Sequence, residues 1–289
     1  MNYSDIPATY HPEPRFRWPD GHRCAVMLSF DVDGETTALA ENPAHAMRLT
    51  TMSMCEYGPK VGVPNLLGLL DHLQVPATFF IPSYIIERHP GMTREIAARG
   101  YEIGLHGHLH ERLPHLSEAE ERSILARSRE ILRHVTGLEA SGYRAPWFEL
   151  NTRTPEILKE AGVFYCSSAM GDDVPYRHPN GLLEIPIQWV LEDWEQFAFN
   201  AEPAWGVIPE TCDKVFTLWL REFEAAYQFG TCMTLILHPW LSGHPARLQL
   251  LERLVRTMQD HPGVWFATGS QIAEWFDQNP DARREVDLK

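Results

Sequence analysis

No stretch of the 289-residue chain approaches the roughly 20 consecutive apolar residues of a membrane span, and its start, Met1-Asn2-Tyr3-Ser4-Asp5, lacks the basic-then-apolar run of a signal peptide. We therefore expect a cytoplasmic protein with no membrane partner. Clusters of lysine and arginine are missing too. With 25 Lys and Arg against 39 Asp and Glu, the net charge of -14 gives a nucleic acid nothing to bind and suits a neutral or cationic small-molecule substrate. The five cysteines, Cys24, Cys55, Cys166, Cys212 and Cys232, are an odd number without a C-x-x-C pair, which points to reduced core residues. No G-x-G-x-x-G or Walker sequence follows the first apolar run, which disfavours a dinucleotide or NTP fold. No repeat is evident.

An apolar content of 44% is enough for a substantial core, and we read residues 1–289 as one domain with a proline-rich arm at 1–23. The arm carries Pro7, Pro12, Pro14 and Pro19, so neither helix nor ladder is expected there. Phe16 and Trp18 lie between these prolines. They are expected on the surface or against a neighbouring subunit, which suggests a homo-oligomer, with a tetramer as one form of it. Residues 36–61 read as a long loop, and such loops are usually functional. Its Met47, Met52, Met54, Tyr57 and Gly58 are candidates to line or close a substrate pocket.

Beyond that loop, helical and strand patterns alternate. Helices are predicted at 63–73, 91–99, 117–135, 154–161, 212–228 and 245–259, with a last one ending near 276. The strands are 77–81, 101–105, 141–143, 164–168, 182–187, 231–237 and 264–267, in addition to the first one around 25–31. Ser117 to Glu120 has the capping-box pattern. Six to eight strands interleaved with helices mean a mostly parallel sheet. An α/β fold of the (β/α) barrel kind fits this length and gathers active-site residues at the C-terminal strand ends.

Four stretches at predicted strand ends carry the chemistry. Ser29-Phe30-Asp31-Val32-Asp33-Gly34-Glu35 ends the first strand in two carboxylates. At this spacing on an extended backbone they point the same way, and such a pair needs a cation or proton between them. His106-Gly107-His108-Leu109-His110 holds three imidazoles within five residues. If the chain turns at Gly107, His106 and His110 come together; an extended path would pair His106 with His108. Two imidazoles, one carboxylate and an open position are the usual make-up of a hydrolytic zinc site, so Asp33, His106 and His110 form a candidate ligand set. In Tyr143-Arg144-Ala145-Pro146-Trp147, the arginine can hold a carboxylate. In Thr234-Leu235-Ile236-Leu237-His238-Pro239, the histidine is suited to proton transfer near neutral pH.

In this order the motifs F-D-V-D-G at 30–34, H-G-H-L-H at 106–110, R-A-P-W at 144–147, D-W at 193–194 and L-H-P at 237–239 resemble those of the polysaccharide deacetylase (NodB homology, carbohydrate esterase 4) family. The resemblance spans most of the chain and implies a distorted (β/α) barrel of the NodB type. It also implies one divalent metal on Asp33, His106 and His110. Asp31 would be the general base and His238 the general acid, with Arg144 orienting Asp31 and Asp193 bracing Arg144. The backbone N–H of Trp147 would meet the oxyanion. Zinc fits the ligands best, with nickel, cobalt, manganese or iron as alternatives.

The chain departs from the sugar-active pattern in its D-V-D spacing, in Trp147 where those enzymes usually place tyrosine, and in the missing secretion signal. These departures resemble the intracellular branch of cyclic imidases, allantoinase-like ureide hydrolases and cytoplasmic peptidoglycan-deacetylase-like proteins. We therefore expect a metal-dependent hydrolase of non-peptide C–N bonds acting on a small cyclic imide or ureide. The alternatives are an N-deacetylase of an N-acetylated sugar or peptidoglycan fragment and, from another class, a non-catalytic binding barrel. Retention of both Asp31 and His238 speaks against the last.

Overall fold

In the computed structural model, which describes Pro14 and residues 16–206 and 208–283, the apolar run after Arg23 forms β1 (Cys24–Asp31), buried along its whole length. A strand covered on both faces is what a parallel sheet requires. Cys24, Val26, Leu28 and Phe30 pack into the core beneath the helices, whereas Ala25 and Met27 join a second cluster with Phe80, Tyr165 and Phe276. The two-residue period of a strand then carries Ser29 and Asp31 onto the Ala25 and Met27 face, the concave side of the sheet.

The other strands are β2 (Thr78–Ile81), β3 (Glu102–Leu105), β4 (Gly142–Tyr143), β5 (Tyr165–Cys166), β6 (Tyr176–Arg177), β7 (Leu183–Glu184), β8 (Phe199–Asn200), β9 (Trp205–Gly206), β10 (Cys232–Leu237) and β11 (Val264–Phe266). The sheet runs β10-β1-β2-β3-β4-β5-β7-β6, parallel except at β6–β7, while β8 and β9 form a separate hairpin. β10 pairs β1 from Ala25 to Phe30, so β11, against Cys24 to Val26, and β2, against Ser29 to Asp31, share the opposite edge. This doubling distorts the curl. The free edge of β10 is bridged by loop backbone, with Asp193 N donating to Ile236 O (3.0 Å) and Cys232 N to Asp173 O (2.9 Å). The architecture is thus the distorted (β/α) barrel expected, in the form of a curled half-barrel.

Helices α1 (Thr36–Glu41), α2 (Leu49–Tyr57), α3 (Val63–Leu73), α4 (Ser83–Arg88), α5 (Pro90–Ala98), α6 (Glu118–Thr136), α7 (Thr154–Glu160), α8 (Trp194–Phe197), α9 (Cys212–Phe229), α10 (Pro239–Ser242), α11 (Pro245–Gln259) and α12 (Gly269–Gln278) complete the chain. α6 starts at the anticipated capping box, with Ser117 and Glu120 satisfying each other's backbone N–H groups, and ends at Gly137 in the left-handed region. Among the described residues no helix is long and apolar enough to cross a membrane.

Two expectations are corrected. Residues 36–61 are helical rather than a loop: α1, a 3₁₀ turn capped by Asn42, α2 and a π-turn at Gly58–Gly62 run directly into α3. Phe16 and Trp18 do not form a surface patch. They are 2% and 4% exposed, with ring centroids 4.3 Å apart; Phe16 lies 5.7 Å from Phe276, and the Trp18 indole donates to Gly230 O (3.1 Å). The aromatic pair is an internal seal and offers nothing to a neighbouring subunit. Residues 1–13 and 15 of the arm lie outside the described residues.

Candidate metal centre and active site

β3 delivers His106, and the chain then doubles back. Gly107 takes φ +68°, where a Cβ would meet Pro146 at 3.1 Å, and His110 itself adopts φ +59°. The turn, not the extended path, is realised, and the rings of His106 and His110 meet 5.0 Å apart at 72°. Each aims Nε2 at Asp33, His106 at Oδ1 (3.3 Å) and His110 at Oδ2 (3.4 Å). All three are buried, and their ligand atoms lie within 4.8 Å of one another. His106 Nδ1 is 2.8 Å from Arg144 O, and since a carbonyl only accepts, this nitrogen carries the proton and leaves the Nε2 lone pair facing Asp33. Ligands bound at the usual distances to a tetrahedral zinc would stand about 3.3–3.6 Å from each other, and the two histidine-to-Asp33 separations, each to a different carboxylate oxygen, fall in that range. Asp33 Oδ1, Asp31 Oδ2 and His110 Nδ1 have no hydrogen-bond partner among the described residues. The donor set therefore fits a divalent ion.

At Asp33 and His110 the electrostatics agree. Burial opposes the Asp33 charge, yet His110, His106 and His238 hold the carboxyl well below the usual carboxylate range. Burial also works against a charged His106, but Asp33 and Asp31 outweigh it and raise the ring. At His110 burial wins over Asp33, and the ring is pushed down to about 3, leaving a neutral imidazole of the kind a metal takes. His108, which an extended path would have paired with His106, points away. Its Nδ1 bonds Ser83 Oγ (2.8 Å), which meets Ser128 Oγ (3.0 Å), and Ser128 donates to Gly107 O (3.0 Å). This chain of bonds fixes the turn.

On one side of the cluster Arg144, fully buried, donates from Nη1 to Asp31 Oδ1 (2.7 Å) and to Ser29 Oγ (2.9 Å), and from Nε to Ser167 O (2.9 Å). Asp193 does not brace Arg144, contrary to expectation. It sits beside the free edge of β10 and grips His238 instead, accepting from His238 Nδ1 (2.7 Å), from its backbone N (2.9 Å) and from Ser242 Oγ (2.5 Å). His238 Nε2 is thereby turned towards Asp33 Oδ2, 3.6 Å away. Burial disfavours the imidazolium, but the Asp193 hydrogen bond and charge prevail, aided by Asp33 and Glu192, and raise the ring to about 10.

These groups line a cavity of about 160 Å³ walled by Trp147, Phe148, Trp189 and Trp194, with Thr37, Glu192 and Glu195 at its sides. Trp147 and Phe148 both hold positive φ (59° and 56°), unusual for bulky side chains and typical of functional sites. The Trp147 indole donates to His110 O (3.2 Å), tying the wall to the ligand turn. Tyr57 and Gly58 are not in the wall. The Tyr57 ring stacks on His244 at 4.0 Å and its hydroxyl donates to Gly243 O (3.2 Å), while Gly58 packs on the Trp240 backbone. Met47 stands in solvent, and Thr37 alone of the 36–61 segment reaches the cavity. Sequence reasoning missed Glu192, although it directly precedes the D-W motif.

A family model described as polysaccharide deacetylase matches residues 50–166. A peptidoglycan deacetylase of Helicobacter pylori is 28% identical over 251 residues, covering 76% of this chain and 85% of that protein. Among solved structures, a Mycobacterium smegmatis protein described as a polysaccharide deacetylase is 42% identical, with a TM-score of 0.90 over 96% of this chain and 99% of the other. The Puue allantoinase is 25% identical, with a TM-score of 0.81 over 97% and 99%. Members of this group hydrolyse amide bonds and in general depend on a metal, in keeping with the donor set formed by Asp33, His106 and His110. This chain belongs to the polysaccharide deacetylase (NodB, carbohydrate esterase 4) family.

Proposed function

We propose that this protein hydrolyses the C–N bond of a small ring amide, a cyclic imide or ureide, with one divalent metal held by Asp33, His106 and His110. The observation that carries the reading is the aromatic cavity of about 160 Å³ directly over that cluster. It is small beside the roughly 300–1,000 Å³ of sites for drug-sized ligands, so a compact ring suits it better than a polymer. The similarity to an allantoinase, at 25% identity over 97% of the chain, supports the same choice.

When bound, a divalent ion, zinc by preference, would polarise the carbonyl and lower the pKa of water. The protein's own groups supply the rest. Arg144 occupies Asp31 Oδ1 and leaves Oδ2 free, so Asp31 can take the proton of the attacking water. Asp193 holds His238 Nδ1, which leaves Nε2 to give its proton to the departing nitrogen. The backbone N–H of Trp147 is our candidate donor to the carbonyl oxygen as it gains charge, an interaction typically worth about 3 kcal/mol.

A second reading, removal of an acetyl group from an N-acetylated sugar, is favoured by the 28% identity to the Helicobacter pylori peptidoglycan deacetylase. Metal-loaded protein should be assayed against succinimide, dihydrouracil, allantoin and N-acetylglucosamine oligomers. Turnover of the ring amides with the oligomers untouched is the expected result. Acetate release with the rings untouched would transfer the site to the second reading.

A further inference from the structure

The reaction above gives no part to Glu192, yet the residue is only 4% exposed and lines the cavity. Oε1 stands 3.9 Å from His238 Nε2, and Oε2 is buried with no hydrogen-bond partner among the described residues. The backbone is pinned, since Glu192 bridges Ile236 of β10 and donates its N–H to Trp189 O (3.2 Å). A buried carboxyl oxygen left unpaired is costly, typically about 1–3 kcal/mol, so a ligand that pairs with it is selected over one that does not.

We propose that Glu192 is the specificity-determining residue of this site and pairs with the adjacent N–H and C=O of a ring amide, an inference that rests on the ring-amide reading above. In an open-chain amide, including the acetamido group of a sugar, N–H and C=O point in opposite directions, and the cis form costs about 2.5–4 kcal/mol. Closing a small ring forces the cis arrangement, which sets N–H and C=O side by side on one edge. A neutral carboxyl offers one donor and one acceptor side by side, the complement of that edge, whereas a carboxylate only accepts and would repel the carbonyl.

The surroundings favour the neutral form. Burial, opposed by His238 but reinforced by Asp193, Asp31 and Glu195, pushes the Glu192 carboxyl up to about 8. Its position suits the task as well. Beside His238, which faces the departing nitrogen, Glu192 meets the N–H and the carbonyl beyond it, leaving the carbonyl under attack to the Asp33 side.

Succinimide has this edge and N-methylsuccinimide lacks its N–H. Metal-loaded wild type, Glu192→Ala and Glu192→Gln should be compared on both, as substrates or competitive inhibitors, with metal content checked. Glu192→Ala should lose about 10- to 100-fold in kcat/KM for succinimide, mainly through KM, and the preference for succinimide should collapse. Glu192→Gln, whose carboxamide keeps one donor and one acceptor, should retain most of both. If Glu192→Ala keeps the preference, or if both variants weaken the two compounds equally, Glu192 shapes the site without reading the substrate and the inference is wrong. Wild-type protein that turns over none of succinimide, dihydrouracil and allantoin would instead overturn the ring-amide reading and this inference with it.

Discussion

The two ends of the curled sheet hold acids, half-buried at one end and buried at the other, and treat them in opposite ways. At the N-terminal end Glu102, which opens β3, has both oxygens occupied. Oε2 accepts from Thr78 Oγ1 (2.8 Å) and Ser270 N (3.1 Å), and Oε1 from the Tyr165 hydroxyl (2.9 Å) and Ser270 Oγ (2.5 Å). At the C-terminal end Asp31, Asp33, Glu192 and His110 each keep one polar side-chain atom without a partner among the described residues. Buried polar groups are satisfied as a rule, and the exceptions call for an explanation. A network closed on itself holds strands together. A cluster left open, next to an aromatic cavity, is arranged for something that is not part of the chain.

This contrast can be broken by substitution. The largest effect is expected at the open end, where Asp33→Ala and His110→Ala should abolish metal binding, as read by metal analysis of the purified variants. A full equivalent of metal in both would refute the ligand assignment. His108→Ala, whose ring points into the Ser83 and Ser128 chain, should keep its metal. His238→Ala should retain metal as well but lower kcat by about 10² to 10⁴, the usual worth of a general acid; steady-state kinetics on a turned-over substrate would decide it. The smallest effect belongs to the closed end. Glu102→Ala leaves the Tyr165 hydroxyl and the Ser270 N–H unpaired, while Thr78 Oγ1 still accepts from Gly269 N, and should cost about 1–3 kcal/mol of stability, measured by denaturant unfolding, with kcat/KM unchanged. A large loss of activity without loss of stability would show that the two ends are not separable.

What was legible in the sequence follows the same division. Asp31, Asp33, His106, Arg144 and His238 sit at or just beyond the ends of apolar runs, and His110 follows within one turn, so strand patterning was enough to bring them together. Partners set by long-range contact were not legible. Asp193 reaches His238 across 45 positions and through an edge bridged by loop backbone, so its assignment to Arg144 could not be corrected from spacing. Phe16 and Trp18 read as surface aromatics because Phe276, which covers Phe16, lies about as far away as the chain allows. The 36–61 segment read as a loop because α1 and α2 span only six and nine residues, too few for a helical period to show beside Pro43, Gly58 and Pro59.

Arg144 works as a tie rod. Its guanidinium lies over the Phe80 ring (4.2 Å) and spans the hollow of the sheet, fastening Ser29 and Asp31 of β1 on one wall and Ser167, just past β5, on the other. The width of the half-barrel at this level is therefore the length of one side chain. A substitution that spreads or narrows the curl, however far from the cavity, would carry Asp31 with it. Lysine could not stand in, because one ammonium cannot reach both walls in the fixed plane that a guanidinium offers. Selection for the position of a single carboxylate would then also act as selection on the girth of the fold.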